Sequence, residues 1–167
     1  MAKIYLILII TFFLAQQLNS AEIDGVAKII DGDTVHIDTK KIRLEGIDAP
    51  EIKQQCKKPF LKISAVIGFE FNKNYSCGVL AKKKLIDKID NSKIKCISSS
   101  KDRYKRFLAT CFKDKVNLNK WMVRNGNAVA YKRYSKDYVR DEDYAKENKL
   151  GIWEGSFISP EKWRKLN

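Results

Sequence analysis

A small β-barrel with helices is the fold class predicted, an α+β chain of five-stranded OB-fold type carrying three helices, and three observations predict it. Apolar residues alternate with polar ones across Val26–Ile47, broken by tight-turn residues, which reads as three consecutive strands. Two further alternating runs follow, Ile94–Ser98 and Phe107–Phe112. Helical patterns come after the third strand and after the fifth, a placement that fits an OB-fold. The chain of 167 residues holds one domain's worth of core.

The first strand contains Val26, Ile29 and Ile30 and ends at Asp31-Gly32-Asp33; Val35 and Ile37 form the second, and Ile42, Leu44 and Ile47 the third. Residues 52–75 have no clean period but are too apolar for a solvated linker, with Phe60, Leu61, Ile63, Val66, Ile67, Phe69 and Phe71. A short hairpin is expected there. Ser76 can cap a helix over Cys77–Ile89, with Val79, Ile86 and Ile89 inward and a lysine run on the solvated face. Asn117 can cap a second helix to Asn125, stopped by Gly126, with Leu118, Trp121 and Met122 inward. After the buried run Ala128–Tyr131, Asp137 can cap a third helix over Tyr138–Leu150, ended by Gly151, with Tyr144, Ala145 and Asn148 inward. An aromatic tail of Trp153, Phe157, Pro160 and Trp163 is expected to lie back over the barrel.

Residues 1–21 read as an export signal: Lys3 precedes the apolar run Ile4–Ala15, and Ser20 and Ala21 supply small residues. That run is shorter than the roughly 20 residues needed to cross a bilayer, so no permanent span is expected. The domain then occupies residues 22–167, with 32 Lys and Arg against 20 acids, a net charge of +12. Such a balance favours a polyanion: nucleic acid, or an anionic membrane or wall. Four cysteines, Cys56, Cys77, Cys96 and Cys111, all follow the export segment and contain no C-x-x-C pair, which favours disulfides over a structural zinc. Of three pairings, Cys96–Cys111 joins two strands across a turn and Cys56–Cys77 closes the 52–75 segment, so these are expected. The compartment implied is periplasmic or extracellular.

Asp33, Arg43, Asp48 and Glu51 stand at the ends of the short apolar runs. Strand ends hold side chains rigidly without burying unpaired charge. Carboxylates with no cysteine nearby suit an oxygen-loving cation, Ca²⁺ or Mg²⁺, better than zinc. An arginine among them adds a planar fork for phosphate, and together they fit phosphodiester chemistry. The alternative is three acidic surface turns, since Asp-Gly is common in hairpins. Asp102-Arg103-Tyr104-Lys105-Arg106, on the loop between strands four and five, is either a phosphate clamp or a basic hairpin tip. Tyr131 and Tyr134 stack on bases or simply pack. His36, the sole histidine, is read as an exposed strand residue with no chemical role.

D-G-D-T-V at Asp31–Val35, I-R-L-E-G-I-D-A-P-E at Ile42–Glu51 and D-R-Y-K-R-F-L-A at Asp102–Ala109 together resemble the staphylococcal nuclease (thermonuclease) family, in the same order and across most of the chain, from about Val26 to Trp153. The resemblance implies that OB-fold and a Ca²⁺-dependent endonuclease that cleaves DNA and RNA to 3′-phosphate products. It implies Asp33, Asp48 and the backbone carbonyl of Ala49 as cation ligands. Glu51 would act on the attacking water, Arg43 and Arg106 would grip the phosphate, and Tyr104, Tyr131 and Tyr134 would contact substrate. The chain departs from the family in its 52–75 segment, in Lys105 where glycine is commoner, in Ala49 where threonine is common, and in the one-residue offset of Tyr134. A monomer acting on nucleic acid is expected. Two rivals stay open: a catalytically inactive OB-fold that only binds nucleic acid, and an exported adhesive domain using its charge on an anionic surface.

Overall fold

The computed structural model describes residues 20–63 and 69–167. The export segment up to residue 19, and Val66 and Ile67 of the inserted segment, lie outside the described residues. Strand β1 runs Ala21–Ile29, β2 Thr34–Ile37, β3 Lys40–Leu44, β7 Lys93–Lys101 and β8 Phe107–Lys113. They pair in the order β3-β2-β1-β7-β8, and a parallel β3–β8 pairing closes the barrel. Closure leaves these five strands without a free edge. β1 begins at Ala21, the residue where the expected export segment ends.

Period-two alternation decides what faces inward. Val35, Ile37, Ile42, Leu44, Ile94, Cys96, Ala109 and Cys111 are buried together in one core. Arg43 lies between Ile42 and Leu44 and therefore faces out of the barrel. Cys96 and Cys111 are direct partners in the β7–β8 register and form a disulfide. The other bridge, Cys56–Cys77, ties the foot of a hairpin made by β5 (Gln55–Ile63) and β6 (Phe69–Ser76) to a helix. Each bridge restricts the unfolded chain, a contribution of about 2–4 kcal/mol. Two shorter strands, β4 (Ile47–Asp48) and β10 (Val129–Ala130), pair with each other beside the barrel, while β9 (Val116–Asn117) turns back to pair antiparallel with the end of β8.

Among the described residues four α-helices occur rather than three: α1 (Cys77–Ile89), α2 (Leu118–Arg124), α3 (Val139–Glu147) and α4 (Pro160–Leu166), with a 3₁₀ turn at Gly151–Glu154. The aromatic tail contains α4, which starts on Pro160 at its first turn. Its seven residues are too few for a periodic signal. Among the described residues no helix is long and apolar enough to cross a membrane.

Several helix faces differ from expectation. In α1 the inward residues are Ala81, Leu85 and Ile89, while Val79 and Ile86 are exposed, because Gly78 and Ala81 let the other face approach closely. Ser76 precedes α1 without a side-chain cap; its hydroxyl instead accepts from Gln55 Nε2. Asn117 does cap α2, accepting from the Lys120 N–H at 2.9 Å. Trp121 is only partly buried, whereas Asn119 is fully buried. Its carboxamide accepts from Cys111 N–H and donates to the carbonyls of Glu45 and Ala109, so it stitches α2 to β8 and the β3–β4 turn. α3 is not capped by Asp137, and Tyr144 and Asn148 face solvent. Its buried face carries Asp141, Glu142 and Ala145 instead. The first part of the tail covers the hairpin foot: Trp153 and Phe157 meet edge to face, 4.9 Å apart, against Cys56, Cys77 and Ile152. His36 is half-buried on β2, between Lys28 and Lys41 in register.

Glu142 is the acid that anchors α3 to strand β10, the partner of β4. It accepts from Ala130 N–H and pairs with Lys132 and Lys146, each at 2.6 Å. Burial pushes its carboxyl up, but the hydrogen bonds from Lys132 and Lys146 win and hold it below the ordinary glutamate value of 4.5. A depressed carboxyl stabilises the fold above its unfolded value and loses that contribution as pH falls through the folded one. Glu142→Gln should therefore lower unfolding free energy at pH 7 by about 1–3 kcal/mol. In urea titrations with the disulfides intact, the gap to the unaltered protein should narrow as pH drops below 4.5; a gap independent of pH would refute the assignment.

Candidate functional site

Asp33 is delivered by the β1–β2 turn. Ile30 N–H reaches the Thr34 carbonyl at 2.9 Å, and Asp31 accepts the Asp33 N–H at 2.9 Å, an Asx turn that fixes the loop. Asp33 is 6% exposed. One of its oxygens accepts from Ala49 N–H at 2.8 Å and the other from the Thr34 hydroxyl at 3.2 Å. This holds the turn against the Asp48-Ala49 segment. Asp48, on β4, is 1% exposed and held by pairing with Val129.

Arg43 joins the two acids. One Nη pairs with Asp33; the other donates to Asp48 Oδ1 at 3.0 Å and to the Ile47 carbonyl at 3.2 Å. Burial of the guanidinium is opposed and outweighed by Asp33, so Arg43 is held more firmly protonated than usual. Burial pushes Asp48 above the ordinary carboxylate range, against the pull of its arginines. Asp31, beside them, is raised to about 6 by burial and by the charge of Asp33.

Glu51 follows on a turn in which Gln54 N–H donates to the Glu51 carbonyl at 2.7 Å and Gln54 Oε1 accepts the Glu51 N–H at 3.2 Å. Helix α1 runs directly under this turn: a Cβ at Gly78 would sit 1.8 Å from the Glu51 carbonyl oxygen, so only glycine permits the contact. The glutamate carboxylate is about one-third exposed and points at Arg164 of α4, 2.8 Å away. Arg164 also takes Asp48, at 2.9 and 3.1 Å. Asp33 and Asp48 therefore meet at Arg43, and Asp48 and Glu51 meet at Arg164. Among the described residues no three acids enclose a point by themselves; guanidinium groups lie between them.

Arg106 stands just before β8. Arg43 is level with Leu108 in the parallel β3–β8 pairing, so by period two Arg106 projects from the same outer face as Arg43, two residues along. Asp102 positions it: both oxygens of Asp102 are used, one by the N–H groups of Tyr104 and Arg106 at 2.9 Å, the other by the Arg106 guanidinium at 2.8 Å. These bonds overcome the cost of burial and hold Asp102 below the usual range. Tyr104 is 63% exposed and lies 5.6 Å from the Arg106 guanidinium. Tyr131 and Tyr134 contact each other edge to face at 4.8 Å. A cleft of about 560 Å³ runs from Asp48 past Tyr131 and Lys132 to Trp153 and Phe157.

Sequence reasoning missed two residues of this region. Gln54 is fully buried and spans from Glu51 to the Ile158 carbonyl, which its Nε2 reaches at 2.6 Å. Arg164, 113 residues after Glu51, belongs to a basic tail with no local signal that it returns to the acids. Hard carboxylate oxygens with no histidine or cysteine among them are a donor set that suits Ca²⁺ or Mg²⁺.

A family model described as "Staphylococcal nuclease homologue" matches residues 41–155. Among similar proteins is one named an uncharacterized endonuclease in Haemophilus influenzae, 34% identical over 148 residues that cover 84% of this chain and 71% of that protein. Another is named a micrococcal nuclease, from Shigella flexneri, 27% identical over 160 residues covering 85% of this chain and 80% of that protein. A third is named the succinoglycan biosynthesis protein ExoI, from Rhizobium meliloti, 34% identical over 132 residues, where the match covers 77% of this chain and 63% of that protein.

The turn that carries Arg106 generates a test. Lys105 has φ of 63°, a left-handed conformation. That costs a side-chain-bearing residue about 1–2 kcal/mol, against about 0.5–1 kcal/mol of extra backbone entropy lost by glycine. Lys105→Gly should therefore stabilise the protein by about 0.5–1 kcal/mol in urea unfolding; a loss of stability would show that the Lys105 side chain makes contacts that outweigh its backbone strain.

Proposed function

Because the chain belongs to the staphylococcal nuclease family, we propose that it is a Ca²⁺-dependent endonuclease that hydrolyses phosphodiester bonds of DNA and RNA and leaves 3′-phosphates. The observation that carries this reading is the Asp33–Arg43–Asp48 cluster with Glu51 beside it and Arg106 on the same barrel face. A protein that only bound nucleic acid would need cations and aromatic groups, but not buried acids that repel phosphate.

In this reading the carboxylates of Asp33 and Asp48 and the carbonyl of Ala49 hold the cation. When bound, Ca²⁺ would supply charge to offset the phosphate and the developing negative oxygens. Arg43, on β3, and Arg106, just before β8, bind phosphate oxygens and favour the more highly charged transition state. Glu51 accepts a hydrogen bond from the attacking water and orients it toward phosphorus, opposite the departing 5′-oxygen. Tyr104 contacts a neighbouring phosphate, while Tyr131 and Tyr134 stack on bases, which favours unpaired strands. The family match includes Arg43, Asp48, Glu51 and Arg106. Residues 1–21 act as an export signal, and the two disulfides suit an oxidising periplasmic or extracellular setting where the protein works as a monomer.

Arg43→Ala, Arg106→Ala and Glu51→Ala should each reduce cleavage of plasmid DNA by about 10²–10³-fold or more while retaining a cooperative melt. Full activity in any one of them removes that residue from the mechanism. EGTA should stop cleavage and added Ca²⁺ restore it, whereas indifference to both would reject the cation. A salt-sensitive gel shift without degradation under any condition would leave a binding protein.

A further inference from the structure

Helix α4 is weakly anchored except at one residue. Of its seven positions only Pro160 is buried, and Leu166 is 63% exposed. Its base is tied down by the Gln54–Ile158 hydrogen bond at 2.6 Å and the Lys57–Ser156 bridge. Among the described residues, the ion pairs from the helix to the body of the protein are a 3.5 Å contact from Glu161 to Arg133 and those of Arg164. There the guanidinium engages both oxygens of Asp48 and one of Glu51, at 2.8–3.1 Å.

Such contacts are usually a surface ion pair worth little. This one differs because Asp48 is 1% exposed, already takes Arg43 on Oδ1, and is left with no oxygen free of a guanidinium. A Ca²⁺ ion needs carboxylate oxygens at about 2.3–2.6 Å. It would have to share them with a positive group already lying between Asp48 and Glu51.

We propose that Arg164 is a resident counter-ion of the acid cluster, which competes with the divalent cation for Asp48 and Glu51, so that the C-terminal helix sets the cation affinity of the site. The inference rests on the reading of Asp33 and Asp48 as cation ligands. With Arg164 in place, the carboxylates of Asp33, Asp48 and Glu51 face two guanidinium groups; without it they face Arg43 alone, and a cation meets a more negative site. Coupling of this kind is reciprocal. Cation binding must loosen the hold on Arg164 by the same factor.

Calorimetric titration of Ca²⁺ into the full disulfide-bonded protein, without substrate, tests it directly. Arg164→Gln should bind Ca²⁺ about 5–100-fold tighter than the unaltered protein, with Arg164→Lys close to the latter. Equal affinity in all three overturns the proposal and leaves the cation site standing, weaker binding by Arg164→Gln overturns it by making Arg164 part of the site's framework, and no binding by any of them overturns both readings. The unaltered chain supplies a second measurement that does not depend on a variant folding. Trypsin must take the Arg164 side chain to cut after it, so Ca²⁺ should raise cleavage there several-fold relative to cleavage after Lys162. Protection of Arg164 by Ca²⁺ would overturn the competition.

Discussion

The parallel pairing of β3 with β8 is the constraint on which the rest of the structure depends. Antiparallel hairpins alone would leave a twisted open sheet of β3-β2-β1-β7-β8 with two unsatisfied edges. Joining its ends satisfies those backbone groups and encloses Ile42, Leu44, Ala109 and Cys111. The same register that buries these residues sends their neighbours outward. It is why Arg43 and Arg106, 63 positions apart in the chain, share one face.

Supports stacked behind that face hold charges that would otherwise be expensive to bury. Asn119 locks α2 to β8 and to the Glu45 turn. Glu142 locks α3 to β10, which in turn pairs with Asp48. The disulfide at Cys77 and the absence of a side chain at Gly78 bring α1 under Glu51. Asp33, Asp48 and Glu51 therefore sit on backbone fixed from several directions, and the arginines between them supply the compensation that buried carboxylates require.

Some features were legible because their signals are local. Alternation marked the barrel strands, Asn117 and Gly126 marked the limits of α2, and both disulfides followed from their positions relative to strands and the inserted segment. The hairpin of β5 and β6 was readable only as apolar content without a period, since the strands form a two-stranded sheet away from the barrel core. Helix faces were less legible. Val79 and Ile86 share a face by spacing with Ile89, yet the chain buries the smaller residues Gly78 and Ala81 because close approach of α1 to the Glu51 turn decides the matter. Buried polar residues such as Asn119 and Gln54 carried no sequence signal, since their partners are backbone groups brought in from other elements.

By itself the sequence determined the strand pattern, the family, the two bridges and the identities of the acids and arginines at the strand ends, because each is written in residue type and spacing within short windows. Only the tertiary structure decided which groups share a charge. Arg164 meets Asp48 and Glu51 because Gln54, the hairpin foot and Pro160 lay the tail across the site, a convergence of segments more than 100 residues apart. Local propensity cannot encode that contact: it follows from chain closure and from the need of a buried carboxylate for a cation.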